Sequence, residues 1–142
     1  MVITMKSNLI SASNVLEGKV LDIERGRLTA NVTVNIGAEN NIFVRVNIDA
    51  IDKMELKRKD SVYVIFDSDA VILAKNHNYI FSAQDIMLAK VSDINKEVVL
   101  LDIGDDIKIT AKIDQPIGLE KGDEVYVILK ANSVILAKEY AP

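Results

Sequence analysis

Apolar and polar side chains alternate along much of the chain. Leu28, Ala30, Val32, Val34 and Ile36 are interleaved with Thr29, Asn31, Thr33 and Asn35, the period of two that turns one strand face to a core and leaves the other wet. Residues 43–48 alternate in the same way, and the short apolar runs 62–66 and 71–74, bounded by polar residues, also read as strands. With Leu16 to Ile23 this gives about five strands in the first half of the chain. Gly37 to Asn41 and Gly104 to Asp106 have the composition of hairpin turns. Only Asp49 to Leu56 reads as a short helix, with Asp49 as N-cap and Ile51, Met54 and Leu56 turned inward.

The pattern occurs twice. Asp60 to Lys75 aligns without a gap on Asp123 to Lys138, with 10 identities in 16 positions, and Ser11 to Ile23 aligns on Ser82 to Ile94. A repeat on this scale is the first thing that must be accounted for in assigning a fold. The counterpart of the helix, Asp114 to Leu119, carries Pro116 and Gly118 and reads as a turn. The expected architecture is therefore all-β, two tandem small five-stranded OB-like barrels, over residues 8–75 and 79–139. The last strands, Val71 to Ala74 and Val134 to Ala137, are equally suited to closing their own barrel or to pairing with another copy.

Composition sharpens this picture. Sixteen Val and nineteen Ile among 142 residues, with 5% aromatics and no Trp, favour strands over helices. The absence of Cys removes disulfides, thiolate metal sites and cysteine nucleophiles. The one histidine, His77, sits in the polar stretch Lys75 to Asn78 and reads as a solvated linker residue. No window approaches a membrane span and no secretion signal opens the chain, so a cytoplasmic location is expected. A net charge of -4 without a basic stripe argues against nucleic acid as a partner. Asp105 with Asp106, and Asp67 with Asp69, fit turn chemistry better than a metal or acid–base pair, and nothing resembles a nucleophile with its base or a phosphate-binding loop. A catalytic function is not expected.

Ser11-Ala-Ser-Asn14, Gly18-Lys-Val-Leu-Asp-Ile23 and Ala70-Val-Ile-Leu-Ala74 in the first unit resemble the motifs of the Mop or molbindin family, which is related to the TOBE modules of transporter ATPases. In the second unit Ser82-Ala83, Val91-Ser-Asp-Ile94 and Lys130-Ala-Asn-Ser-Val-Ile-Leu-Ala137 carry the same resemblance. It covers nearly the whole chain, in a tandem or di-Mop arrangement. The resemblance implies storage or homeostasis of molybdate or tungstate, bound between subunits of a homo-oligomer, a trimer of two-domain chains.

Independently of the family, a tetrahedral dianion only accepts hydrogen bonds, so its site must offer donors. Ser11, Ala12, Ser13 and Asn14, with Ser82 and Ala83, supply backbone N–H, hydroxyl and amide donors, as do Lys130, Ala131, Asn132 and Ser133. Lys19 and Lys90 match between the units and are further candidates. Ser13 and Gln84 stand where the family has arginine, and Asp67-Ser-Asp69 replaces its Lys-Ala-Ser triplet in the first unit. A carboxylate 4 Å from a dianion at an effective dielectric near 20 costs roughly 8 kcal/mol before screening. The expected site is therefore built around Lys130 and Ser133 with an opening segment such as Ser11 to Asn14 from a neighbouring module. An oxyanion-sensing regulatory module and a scaffold that has lost binding are the alternatives.

Overall fold

The computed structural model describes residues 10–75, 78–114 and 117–139; His77 and Pro116 lie outside them. The strands are β1 (Asn14–Arg25), β2 (Thr29–Gly37), β3 (Asn40–Asn47), β4 (Ser61–Phe66), β5 (Ile72–Lys75), β6 (Asp85–Asn95), β7 (Val98–Asp102), β8 (Lys108–Lys112), β9 (Glu124–Leu129) and β10 (Ile135–Ala137), with one helix, α1 (Ile48–Met54). They form two antiparallel five-stranded sheets, ordered β10-β4-β1-β2-β3 and β5-β9-β6-β7-β8. Two small five-stranded OB-like units are thus what the all-β pattern builds.

The two sheets exchange their last strands. β5 leaves the first unit to pair with β9, Ile72 opposite Ile128 and Lys75 opposite Val125, while β10 returns to pair with β4, Ile135 opposite Ile65 and Ala137 opposite Tyr63. The last strands therefore neither close their own sheets nor require a second copy for pairing. The connections explain why. A two-residue hairpin that folds a strand straight back takes positive φ at one or both central residues. Asp67 to Val71 and Lys130 to Val134 instead run through short 3-10 turns, Ser68–Ala70 and Ala131–Ser133, flanked by extended residues at negative φ. The chain is carried forward, across to the other sheet.

True hairpins occur where the backbone does turn left-handed. Ala38 and Glu39 join β2 to β3 at φ 53° and 62°, and Asp105 and Asp106 sit between β7 and β8 at φ 51° and 60°. Both long strands break register at matching places, Val20/Asp22 in β1 and Val91/Asp93 in β6. Such bulges bend a strand so that it can serve two neighbours. Here β1 pairs with β4 through its first half and with β2 through its second.

Inward-facing residues meet in one apolar cluster that includes Val32, Val34, Ile42, Val44 and Val64 from the first sheet and Val99, Leu101, Ile109, Val125 and Leu129 from the second. Each is inaccessible to solvent. Leu28 departs from the alternation and is 83% exposed, because it precedes β2. The helix begins one residue before the expected Asp49: its N-cap is Asn47, and Asp49 lies in the first turn. It buries Ile51 and ends at Glu55 in the left-handed conformation.

Candidate functional site

The exchange creates two related seams where the sheets meet. At each, an opening segment, a 3-10 crossing turn and a strand of the opposite sheet converge. In the first seam these are residues 12–14, the turn Ser68–Ala70 and β8; in the second they are Asp85 at the start of β6, the turn Ala131–Ser133 and β3.

Asn14 and Asp85 hold the corresponding places. Each begins a long strand, Asn14 opposite Phe66 and Asp85 opposite Leu129. Asn14 is 4% exposed and both ends of its amide are committed: Nδ2 donates to the Thr110 carbonyl at 2.9 Å, and Oδ1 accepts from the Thr110 N–H at 2.8 Å. It straps the first sheet to β8. Asp85, 1% exposed, accepts the Phe43 N–H at 2.6 Å through Oδ1, while its Oδ2 is buried without a hydrogen-bond partner. Burial pushes its carboxyl up to about 6, with the Phe43 N–H pulling in the opposite direction.

In the first seam Ser11 and Ser13 are exposed and Ala12 is half-buried. Ser13 Oγ donates to Ser68 Oγ at 3.2 Å, which brings the opening segment to the turn that carries Asp67 and Asp69, both exposed. A shallow cavity of about 410 Å³ is lined there by Ala12, Ser13, Asn14, Lys108 and Thr110 among others. Lys108 is engaged with Asp102 at 2.9 Å.

The second seam has the opposite character. Ser82 is exposed and Ala83 half-buried; Lys130 is exposed at the start of the turn, Ala131 is buried, and Asn132 and Ser133 are exposed. The turn is closed by the Ser133 N–H donating to the Lys130 carbonyl at 2.9 Å. Lys130 has no ion-pair partner among the described residues. Its ammonium is uncommitted.

The predicted residues are thus divided. Lys130 to Ser133 form the crossing turn of the second seam, whereas Ser13 and Asn14 meet Ser68 and Thr110 in the first. Lys19 and Lys90 lie five residues further along β1 and β6, about 17 Å away. They line separate grooves of 620 and 590 Å³, Lys19 with Asn35, Ser61 and Tyr63, and Lys90 with Asp102, Asp106 and Glu124. Thr110, Phe43 and Asp85 escaped the motif reading. Asp85 was visible in the repeat alignment opposite Asn14, but its environment was not. No cluster of three or more His, Asp or Glu suited to a metal ion exists among the described residues.

Two exchanged OB-like sheets with donor-bearing seams define a duplicated ligand-binding module rather than a solitary barrel. The TOBE domain family matches residues 10–73. Molybdenum-pterin-binding protein 1 of Clostridium pasteurianum is 35% identical over 66 residues, covering 46% of this chain and 97% of that protein. The molybdenum transport protein ModE of Azotobacter vinelandii is 28% identical over 135 residues, 89% of this chain and 50% of its own length. A molybdate-bound crystal structure of the cytoplasmic molybdate-binding protein ModG shares the two-unit fold at a TM-score of 0.85 and 24% identity, covering 92% of this chain and 99% of that one. The chain belongs to the molybdenum-pterin-binding protein family of TOBE-domain proteins.

Proposed function

We propose that this chain binds molybdate or tungstate reversibly, at the second seam, and serves to store or buffer the anion in the cytoplasm without catalysing a reaction. The observation that carries this reading is the uncommitted Lys130 ammonium at the head of a turn whose Asn132 and Ser133 are exposed, next to the start of β6, where Asp85 lies opposite Leu129. Lys130, Asn132 and Ser133 supply donors, and a fully deprotonated tetrahedral dianion needs nothing else. Phosphate keeps a proton at neutral pH and calls for an acceptor as well as donors, so a cationic, donor-dominated seam favours molybdate over phosphate. The first seam, with Asp67 and Asp69 beside Ser13, repels a dianion. The names of the relatives, which refer to molybdenum-pterin and to molybdate, support the same ligand class. No helix among the described residues is long and apolar enough to cross a membrane.

Self-association belongs to this reading, as a trimer of two-domain chains whose junctions would add donors such as Ser11 to Asn14 of a second copy. Its basis is an apolar outer face: Ile72, Ile128 and Ile86 form one cross-strand row, and Ile135 adjoins Ile65 in the other sheet. Ile72, Ile86 and Ile135 are 52%, 36% and 64% exposed. Light scattering of the full chain and of Ile72→Glu measures the assembly, and a wild-type chain that stays monomeric with molybdate refutes it.

Isothermal titration with molybdate, tungstate, sulfate and phosphate tests the binding. Molybdate and tungstate are expected to bind and phosphate to give no heat, with Lys130→Ala weakening molybdate by about tenfold or more, the loss of one charge-assisted hydrogen bond. Silence with all four anions defeats the proposal. Unchanged binding in Lys130→Ala defeats the site.

A further inference from the structure

The two seams carry matching straps that differ at one atom. Asn14 gives the first seam an acceptor for the Thr110 N–H and a donor for the Thr110 carbonyl. Asp85 stands at the same position of the second repeat, and Phe43 on β3 stands where Thr110 stands on β8: Phe43 pairs with Thr33 as Thr110 pairs with Leu100. Half of the strap is repeated, since the Phe43 N–H donates to Asp85 Oδ1. The other half is missing only for want of a hydrogen, because Oδ2 occupies the place of the Asn14 NH₂ group and is buried with no partner. A carboxylate oxygen facing a carbonyl would repel it; a carboxylic acid would donate to it.

We propose that Asp85 is a proton-operated latch on the second seam. As a neutral acid it accepts from the Phe43 N–H and donates to the Phe43 carbonyl, holding β3 on β6. As a carboxylate it gives up the donated bond and sets a buried negative charge next to the Lys130–Ser133 turn. The charged side chains on the elements packed around it are Arg45 on β3, Lys90 and Asp93 on β6, Glu124 on β9 and Lys130 at the head of the turn. None of them sets its ionisation, which follows from burial against the single Phe43 N–H. No cation among the described residues pairs with the carboxylate, so the latch works near pH 6. Its consequence for the oxyanion rests on the binding reading above; the latch itself does not. Protonation strengthens the seam and removes a negative charge from beside the dianion, so affinity falls as pH rises.

The test pairs two measurements on the full chain. Carbon-13 NMR of the Asp85 carboxyl across pH 3 to 9 is expected to give a midpoint near 6, and a midpoint in the ordinary carboxylate range overturns the latch. Molybdate titrations at pH 5.5 and pH 8 are expected to show about tenfold weaker binding at the higher pH in the parent and a much smaller change in Asp85→Asn, which carries the first seam's amide. Equal pH dependence in the two proteins overturns the coupling. If neither binds molybdate at either pH, the binding proposal fails, and the carboxyl midpoint alone decides the latch.

Discussion

Transplanting the acid into the other seam gives a sharp prediction. Asn14→Asp keeps size and shape but exchanges the donating NH₂, 2.9 Å from the Thr110 carbonyl, for an oxygen. If the first seam treats an acid as the second treats Asp85, the new carboxyl moves from 3.8 when unfolded to about 6 when folded. That is about 2.2 units, which at 1.36 kcal/mol per unit is about 3 kcal/mol. The sign follows from proton counting. Between pH 4 and 6 the folded chain holds a proton that the unfolded chain has released, so stability falls as pH rises through this window and then levels off. The variant should match its parent near pH 4 and lose about 3 kcal/mol by pH 8, roughly 10 °C in Tm. Urea unfolding of both proteins at pH steps from 4 to 8 measures the difference. A deficit that is the same at every pH would mean that packing, not protonation, governs the site, and the account of both straps would be wrong.

Two further outcomes test other parts of the fold. A Cβ added at Gly18 would meet Val34 Cγ1 at 2.5 Å and the Asn35 carbonyl at 2.8 Å, so Gly18→Ala is expected to cost about 1 to 3 kcal/mol by thermal or urea unfolding, even though the repeat carries buried Ala89 at the matching position; a neutral result refutes the close approach of β1 and β2. Lys138 joins Asp60 at 3.0 Å and donates to the carbonyls of Met54 and Glu55. Burial acts to raise the Asp60 carboxyl, but Lys138 and the Lys57 N–H outweigh it and hold it below its ordinary value. This stabilisation is present above the ordinary carboxylate range and lost as pH falls through the lowered one. Lys138→Met should therefore destabilise the chain at pH 7 by about 1 kcal/mol and by less at pH 3. A loss as large at pH 3 as at pH 7 contradicts the ion pair.

The donor chemistry of the proposed site was legible in residue type, and its geometry was not. Lys130 to Ser133 were named from residue type and form the crossing turn of the second seam. Asn14 was read as a donor for the ligand, yet its amide is spent on Thr110, 96 residues away. Lys19 and Lys90 were paired with the motif because they repeat, but they sit midway along their strands and line separate grooves.

Sequence alone determined the twofold repeat, its strands, the hairpins at residues 38–39 and 105–106, and the apolar interior. All of these depend on interactions between near neighbours or on a period of two that the chain itself displays. Tertiary structure decided where the last strands go and what becomes of Asp85. The first depends on the direction in which a five-residue crossing leaves its sheet, and the pattern of Val71 to Ala74 is the same for either destination. The second depends on a peptide group of β3, 42 residues distant, which leaves one carboxyl oxygen dry. Whether an acid is charged is a property of its surroundings, and those surroundings exist only once the sheets have exchanged strands and closed on one another.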